Sequence, residues 1–183
     1  MMDRFLTGLV DRFEGLEAEL NRLDSAIGDG DHGTTILKGI RAAAKADGPA
    51  AKAFRVAAGG ASGSLFSLLI GALEKVGRGQ IALGEGLSDA ADRISQMGEA
   101  KLGDKTMLDA LIPASEAALA HQENAAGAAA EAAKSASQAT ASLAAKRGRA
   151  KYVEGAGVGH IDPGAVSVAV MLEEFERLAR EAV

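Results

Sequence analysis

Asp24-Ser25-Ala26-Ile27-Gly28-Asp29-Gly30-Asp31-His32-Gly33-Thr34-Thr35 decides how this chain folds, because three familiar motifs compete for it. Each would demand a different architecture. Gly28-x-Gly30-x-x-Gly33 matches a dinucleotide fingerprint, which needs a preceding β-strand and would press a pyrophosphate onto Asp29 and Asp31. No strand precedes it: residues 3–23 put Phe5, Leu9, Phe13, Leu16, Leu20 and Leu23 on one apolar face of a helix. Gly28-x-x-x-x-Gly33-Thr34-Thr35 is a P-loop without its lysine, the group that neutralises phosphate. An EF-hand begun at Asp29 would place Gly33 and Ile40 where an oxygen ligand and a glutamate belong. With all three set aside, the stretch joins two helices, and the chain reads as all-α.

What the loop offers is oxygen. Asp29 and Asp31, two apart in extended chain, converge on one point that Asp24 reaches from the last turn of the preceding helix. Ionised carboxylates at that density repel one another unless a cation lies among them. Hard oxygen donors suit Mg²⁺ or Ca²⁺ far better than Zn²⁺ or copper. A metal held there bridges to phosphate oxygens, and the free N–H groups after His32 are expected to add an anion site where the next helix begins. The bland alternative is an Asp/Gly-rich turn with solvated charges. His32 alone reads as a local hydrogen-bonding residue.

Composition narrows the rest. At 183 residues the chain is expected to be a single domain, 1–183, with a proper core. A balance of 20 basic and 25 acidic residues, net −5, gives no support for a nucleic-acid partner. No cysteine is present, so there is neither a disulfide framework nor thiolate chemistry. No apolar run is long enough to cross a membrane and Met1-Met2-Asp3-Arg4 is no secretory leader, so a cytoplasmic location is expected. Abundant alanine and sparse β-branched residues favour helix nearly everywhere.

Outward from the aspartate loop, a helix is predicted over 34–46, a break at Asp47-Gly48-Pro49, and a short helix over 50–58. Gly59-Gly60-Ala61-Ser62-Gly63-Ser64 reads as a second loop, suited to a flat ligand or a phosphate, or equally to tight helix packing. It opens onto a buried helix from Leu65. After Gly77-Arg78-Gly79, Ser88 is expected to cap a helix ending near Gly98. Thr106 and Asp109 form a capping box for a helix over 106–121, which Pro113 would kink or start. His121 reads as a surface residue. Residues 124–146 read as one Ala-rich helix whose basic end, Lys146-Arg147-Gly148-Arg149, complements the helix dipole. The irregular run from Gly148 to Ala165 carries Arg149, Tyr152, His160 and Asp162, and long loops in helical domains tend to be functional. A last amphipathic helix covers about 165–182. The total is roughly eight helices and no strand.

These pieces together resemble the DhaL family, the nucleotide-binding (Dak2-type) subunit of dihydroxyacetone kinase. The matching fragments are Leu23-Asp24, Gly28-Asp29-Gly30-Asp31-His32-Gly33, Gly59-Gly60-Ala61-Ser62-Gly63, Gly103-Asp104-Lys105-Thr106-Met107, Gly148-Arg149-Ala150-x-Tyr152 and Gly159-His160-x-Asp162-Pro163-Gly164-Ala165-x-Ser167. They run in order along nearly the whole length. The resemblance implies an antiparallel eight-helix barrel with a nucleotide–Mg site in the loops at one end. It implies Asp24, Asp29 and Asp31 as ligands of a pair of Mg²⁺ ions, with His32, Gly33, Thr34 and Thr35 along the phosphates of ADP or ATP. Ala61, Ser62, Gly98 and Met107 would line the nucleotide pocket, and Arg149 with Asp162, Pro163 and Gly164 would close it. The chain departs from the family at Thr35-Ile36, where an Asn-Met pair is common; a hydroxyl replaces one amide contact but not both.

The activity so implied is phosphoryl transfer to a short ketose held by a DhaK-type subunit, with Arg149 clamping the transferred charge. ADP would stay bound and be rephosphorylated by a DhaM-type phosphohistidine subunit, whereas in other members ATP exchanges. An alternative from another class is an ADP-dependent subunit that binds a transcriptional regulator. A metal-dependent phosphohydrolase would need a positioned water. A homodimer is compatible with any of these.

Overall fold

The computed structural model describes residues 1–181, so the end of the last helix expected at 182 lies outside the described residues. Eight helices form: α1 (Met2–Ser25), α2 (His32–Ala44), α3 (Ala50–Ala58), α4 (Gly60–Gly77), α5 (Leu83–Gly98), α6 (Leu108–Ala120), α7 (Ala125–Ala139) and α8 (Pro163–Glu181). There is no strand among the described residues, and no helix there is long and apolar enough to cross a membrane. Each helix packs on the next in chain order, and α8 returns to α1 to close the ring. Connections alternate between the two ends. The segments 26–31, 59, 99–107 and 140–162 therefore gather at one end, and they hold the site.

The core follows the apolar stripes. Phe5, Leu9, Phe13 and Leu20 of α1 are buried against Ile36 and Ile40 of α2 and Met171 and Phe175 of α8. The rings of Phe5 and Phe175 meet edge to face at 5.8 Å, closing the barrel where first and last helices touch. In α7 the buried positions are Ala129, Ala130, Ala133 and Ser137, small enough to let α6 and α8 approach closely.

Three helix boundaries differ most from the sequence reading, those of α4, α5 and α7. Gly59 to Ser64 is not a loop: Gly59 alone links α3 to α4, with φ of 67°, and Gly60 begins the helix. Helix α5 starts at Leu83, leaving Ser88 inside it; Gly84 there acts as a packing residue, since a Cβ would lie 2.8 Å from Leu119 of α6. Pro113 sits within α6, which continues to Ala120. Helix α7 stops at Ala139, so Lys146 to Arg149 lie well beyond its end, and Arg149 instead begins a short 3₁₀ turn, Arg149–Tyr152. Beyond Ala139 the chain tightens into a 3₁₀ turn, Thr140–Ser142, and the Thr140 carbonyl accepts both the Leu143 N–H (3.1 Å) and the Lys105 ammonium (2.5 Å).

Buried polar groups hold elements in register. Glu74 of α4 accepts the N–H groups of Ala50 (3.0 Å) and Ala51 (3.2 Å), capping α3 from a neighbouring helix. Replacing Glu74 by Ala orphans both donors. We expect a loss of about 2–3 kcal/mol in urea denaturation, with the distant cleft unaltered.

Candidate functional site

The aspartate loop is built around one carboxylate. Asp24, in the last turn of α1, turns back so that its Oδ2 accepts the N–H groups of Gly30 (2.9 Å), Asp31 (3.0 Å) and His32 (3.2 Å). Gly28 gives Asp24 the room to do so, because a Cβ there would sit 2.4 Å from Asp24 Oδ1. Asp31 occupies the N-cap position of α2 yet makes no cap bond with its side chain, since Asp24 already serves the helix start. Its carboxylate is left free. Oxygens of Asp24, Asp29 and Asp31 all come within 4.8 Å of one another, partly exposed and not competing for a common donor. An all-oxygen set of this kind fits Mg²⁺. The Arg149 guanidinium reaches across and pairs with Asp29.

The N-terminus of α2 is therefore not the open anion site the sequence suggests. Asp24 takes the His32 N–H, and Asn21 Oδ1 takes that of Thr34 at 3.1 Å. The N-terminus of α4 is the open one. It has no side-chain cap, its first backbone bond runs from Gly63 N to Gly59 O, and Gly60, Ala61 and Ser62 face the same cleft as the carboxylates.

That cleft has a volume of about 380 Å³. It gathers Asp24, Asp29, Asp31, His32, Thr35, Ala61, Ser62, Met107, Arg149, Asp162, Pro163 and Gly164 from across the sequence. Three expected residues stand outside its lining. Gly33 faces α1, where a Cβ would lie 2.3 Å from the Glu17 carbonyl. The Thr34 hydroxyl donates to Glu17 (2.8 Å) and accepts from Asn21 (2.9 Å). Gly98 ends α5 next to Leu65, which itself lines the cleft. A wider groove of about 1050 Å³ between α1, α7 and α8 lies at the other end of the barrel. Its side chains neutralise one another, as in the pairs Arg12–Glu173 and Arg177–Glu174.

His32 is a bridge across the barrel. Its Nε2 lies 2.9 Å from Ser167 Oγ on α8, and its ring meets Phe66 edge to face at 5.9 Å. Burial lowers its pKa to about 4 against the opposing pull of Asp24, so the ring is neutral at physiological pH. Asp162 caps α8 by accepting the Ala165 N–H at 2.7 Å. Desolvation raises its pKa to about 7, a shift that bond opposes and the charge of Asp109 reinforces. Ile27, Lys105 and Thr140 were given no role by sequence reasoning, yet all three shape the site. Lys105 belongs to the Gly103-Asp104-Lys105-Thr106-Met107 stretch, where a cation between Asp104 and Thr106 is its signal in sequence; Thr140 carries none.

Residues 26–177 match the family described as the DAK2 domain. The chain is 34% identical to the PEP-dependent dihydroxyacetone kinase ADP-binding subunit DhaL of Escherichia coli, covering 97% of this chain and 95% of that one. It is 35% identical to the L-erythrulose 1-kinase of Mycolicibacterium smegmatis, covering 90% of this chain and 33% of the relative. It thus spans about a third of that longer protein. The dihydroxyacetone kinase from C. freundii, solved with AMP-PNP and Mg²⁺, superposes with a TM-score of 0.75 at 26% identity, over 96% of this chain and 33% of that one.

Two outcomes follow from this geometry. Gly28→Ala keeps all three carboxylates but crowds Asp24, and should weaken Mg²⁺ binding about 10–100-fold in a calorimetric titration. Asp162 ionises near 3.8 when unfolded and near 7 when folded, so its contribution to stability is full below pH 3.8 and is lost as pH rises through 7. Asp162→Asn retains a cap acceptor. In urea denaturation it should gain on the parent chain by up to about 4 kcal/mol between pH 4 and 7.5.

Proposed function

The chain belongs to the DAK2-domain family, and on that premise we propose that it is the nucleotide-binding phosphotransferase subunit of a kinase for dihydroxyacetone or a related short ketose. The observation that carries this reading is the convergence of Asp24, Asp29 and Asp31 at the mouth of a cleft whose other wall is the uncapped start of α4. The carboxylates would hold Mg²⁺, as a pair of ions, which when bound neutralises charge on the phosphoryl oxygens during transfer. The chain's own groups do the positioning. Asp24 is locked by three N–H bonds, so its free oxygen is oriented in advance. The first N–H groups of α4 open into the cleft, where they would meet anionic oxygens, and Arg149 would add positive charge from its place beside Asp29. Leu65, Phe66 and Met107 give the cleft an apolar wall suited to a base.

The two nitrogen nucleophiles lining the cleft are engaged, His32 by Ser167 and Lys105 by two carbonyls, so the substrate is assigned to a DhaK-type subunit. ADP is assigned as a resident cofactor rephosphorylated by a DhaM-type phosphohistidine subunit; the similarity to the PEP-dependent, ADP-binding subunit of E. coli supports this. The exposed surface supports a protein partner. Val56, Met97, Leu102, Tyr152 and Val158 are all exposed apolar side chains at the cleft end of the barrel. The same rim favours a second reading, in which the ADP-loaded barrel docks on a transcriptional regulator without turnover.

Calorimetry of the purified chain with ADP and with ATP, with and without Mg²⁺, is the test. We expect binding that requires Mg²⁺ and that Asp29→Asn weakens by about 100-fold. Transfer in the reconstituted system should fall in parallel. Unaltered nucleotide binding and transfer in Asp29→Asn would overturn the metal-bridged reading.

A further inference from the structure

Lys105 is buried (2% exposed), where an unpaired ammonium is costly. Its Nζ donates to two carbonyls, Thr140 O and His160 O, each at 2.5 Å. Thr140 is where α7 gives way, and His160 lies three residues before α8. Between them the chain forms a strap over the cleft. It is tied internally by Ala145 N to Ala156 O (2.8 Å) and Gly159 N to Ala141 O (2.7 Å), and to the α5–α6 loop by Lys146 N to Asp104 O (3.1 Å). The Thr140 hydroxyl accepts the Asp162 N–H at 2.9 Å, adding a second tie between the strap's ends.

The strap carries Arg149. Its neighbour Ala150, with Ala145, packs on Ile27 of the aspartate loop in a small cluster separate from the main core. The Lys105 stem lies in the same place: a Cβ at Gly157 would be 3.3 Å from Lys105 Cε and 3.1 Å from Ile27 Cγ2. Lys105 is itself held firmly. Its φ of 61° is unusual for a side-chain-bearing residue, and Asp109 fixes the loop around it by accepting the N–H groups of Gly103 (2.6 Å) and Thr106 (2.7 Å). Burial pushes its ammonium below lysine's ordinary value, while Asp162 and Asp109 help keep it charged.

We propose that Lys105 is a positioning residue for phosphoryl transfer: its ammonium draws the two ends of the strap together and so sets Arg149 against the carboxylate site. The assignment rests on the Mg–nucleotide reading above. Bonds from a buried ammonium to carbonyls are among the strong ones, and losing them frees both strap ends at once.

The test is a double-mutant cycle on Mg–ADP affinity with Lys105→Met, Arg149→Ala and the double variant, accompanied by amide exchange. Lys105→Met should weaken Mg–ADP about tenfold in the parent background and less than about twofold in Arg149→Ala, the non-additivity of coupled residues. Exchange should quicken at Ala145 and Gly159 and stay unchanged in α1, α2 and α8. If Lys105→Met does not fold, Lys105→Gln, polar but uncharged and one atom too short to tie both carbonyls, carries the same cycle. Equal losses in both backgrounds, or none, would overturn the assignment of Lys105 alone. A parent chain that binds no Mg–ADP overturns the kinase reading and this assignment with it.

Discussion

Three carboxylates crowded into one loop repel one another, and the fold copes by giving one of them a second task. Asp24 spends one oxygen on three consecutive backbone N–H groups. That single acceptor bends the loop, starts α2 and relieves Asp31 of the capping work its position would otherwise demand. Without it the amides of the loop would compete for Asp31, and the triad would lose a member to local structure. The arrangement requires Gly28, because any side chain there would collide with Asp24. Local backbone satisfaction and ligand geometry are thus one problem with one solution.

The all-α class and the order of the helices were legible in the sequence because alanine-rich, strand-poor segments leave few alternatives. The carboxylate triad was legible because its members lie within nine residues, where backbone reach suffices to bring them together. What escaped was decided by partners distant in sequence. The Thr140 carbonyl just past α7 is met by Lys105 from the α5–α6 loop, and the helical Gly60 to Ser64 turn depends on α3 arriving one residue before it. The resemblance named Gly98 and Thr34 for the pocket, and the structure turns one toward Leu65 and the other toward Glu17 and Asn21.

The placement of His32 shows how burial selects among the roles open to a residue. A histidine next to three acids looks like an acid–base group, and the nearby charge of Asp24 does favour protonation. Desolvation outweighs that charge, and the ring is held neutral between Ser167 and Phe66. It joins the start of α2 to the start of α8, on the two sides of α1.

An even number of antiparallel helices puts the start of α1 and the described end of α8 at the face away from the cleft. Helix α8, 19 residues long, measures roughly 28 Å at 1.5 Å per residue. A further domain joined beside the start of α1 or the end of α8 would begin that far below the mouth of the cleft. To bring its own reactive group to the nucleotide without help from a second copy, such a domain needs either its own bulk or about eight extended residues of tether running alongside the barrel. The barrel in effect sets a minimum leash for anything fused to it.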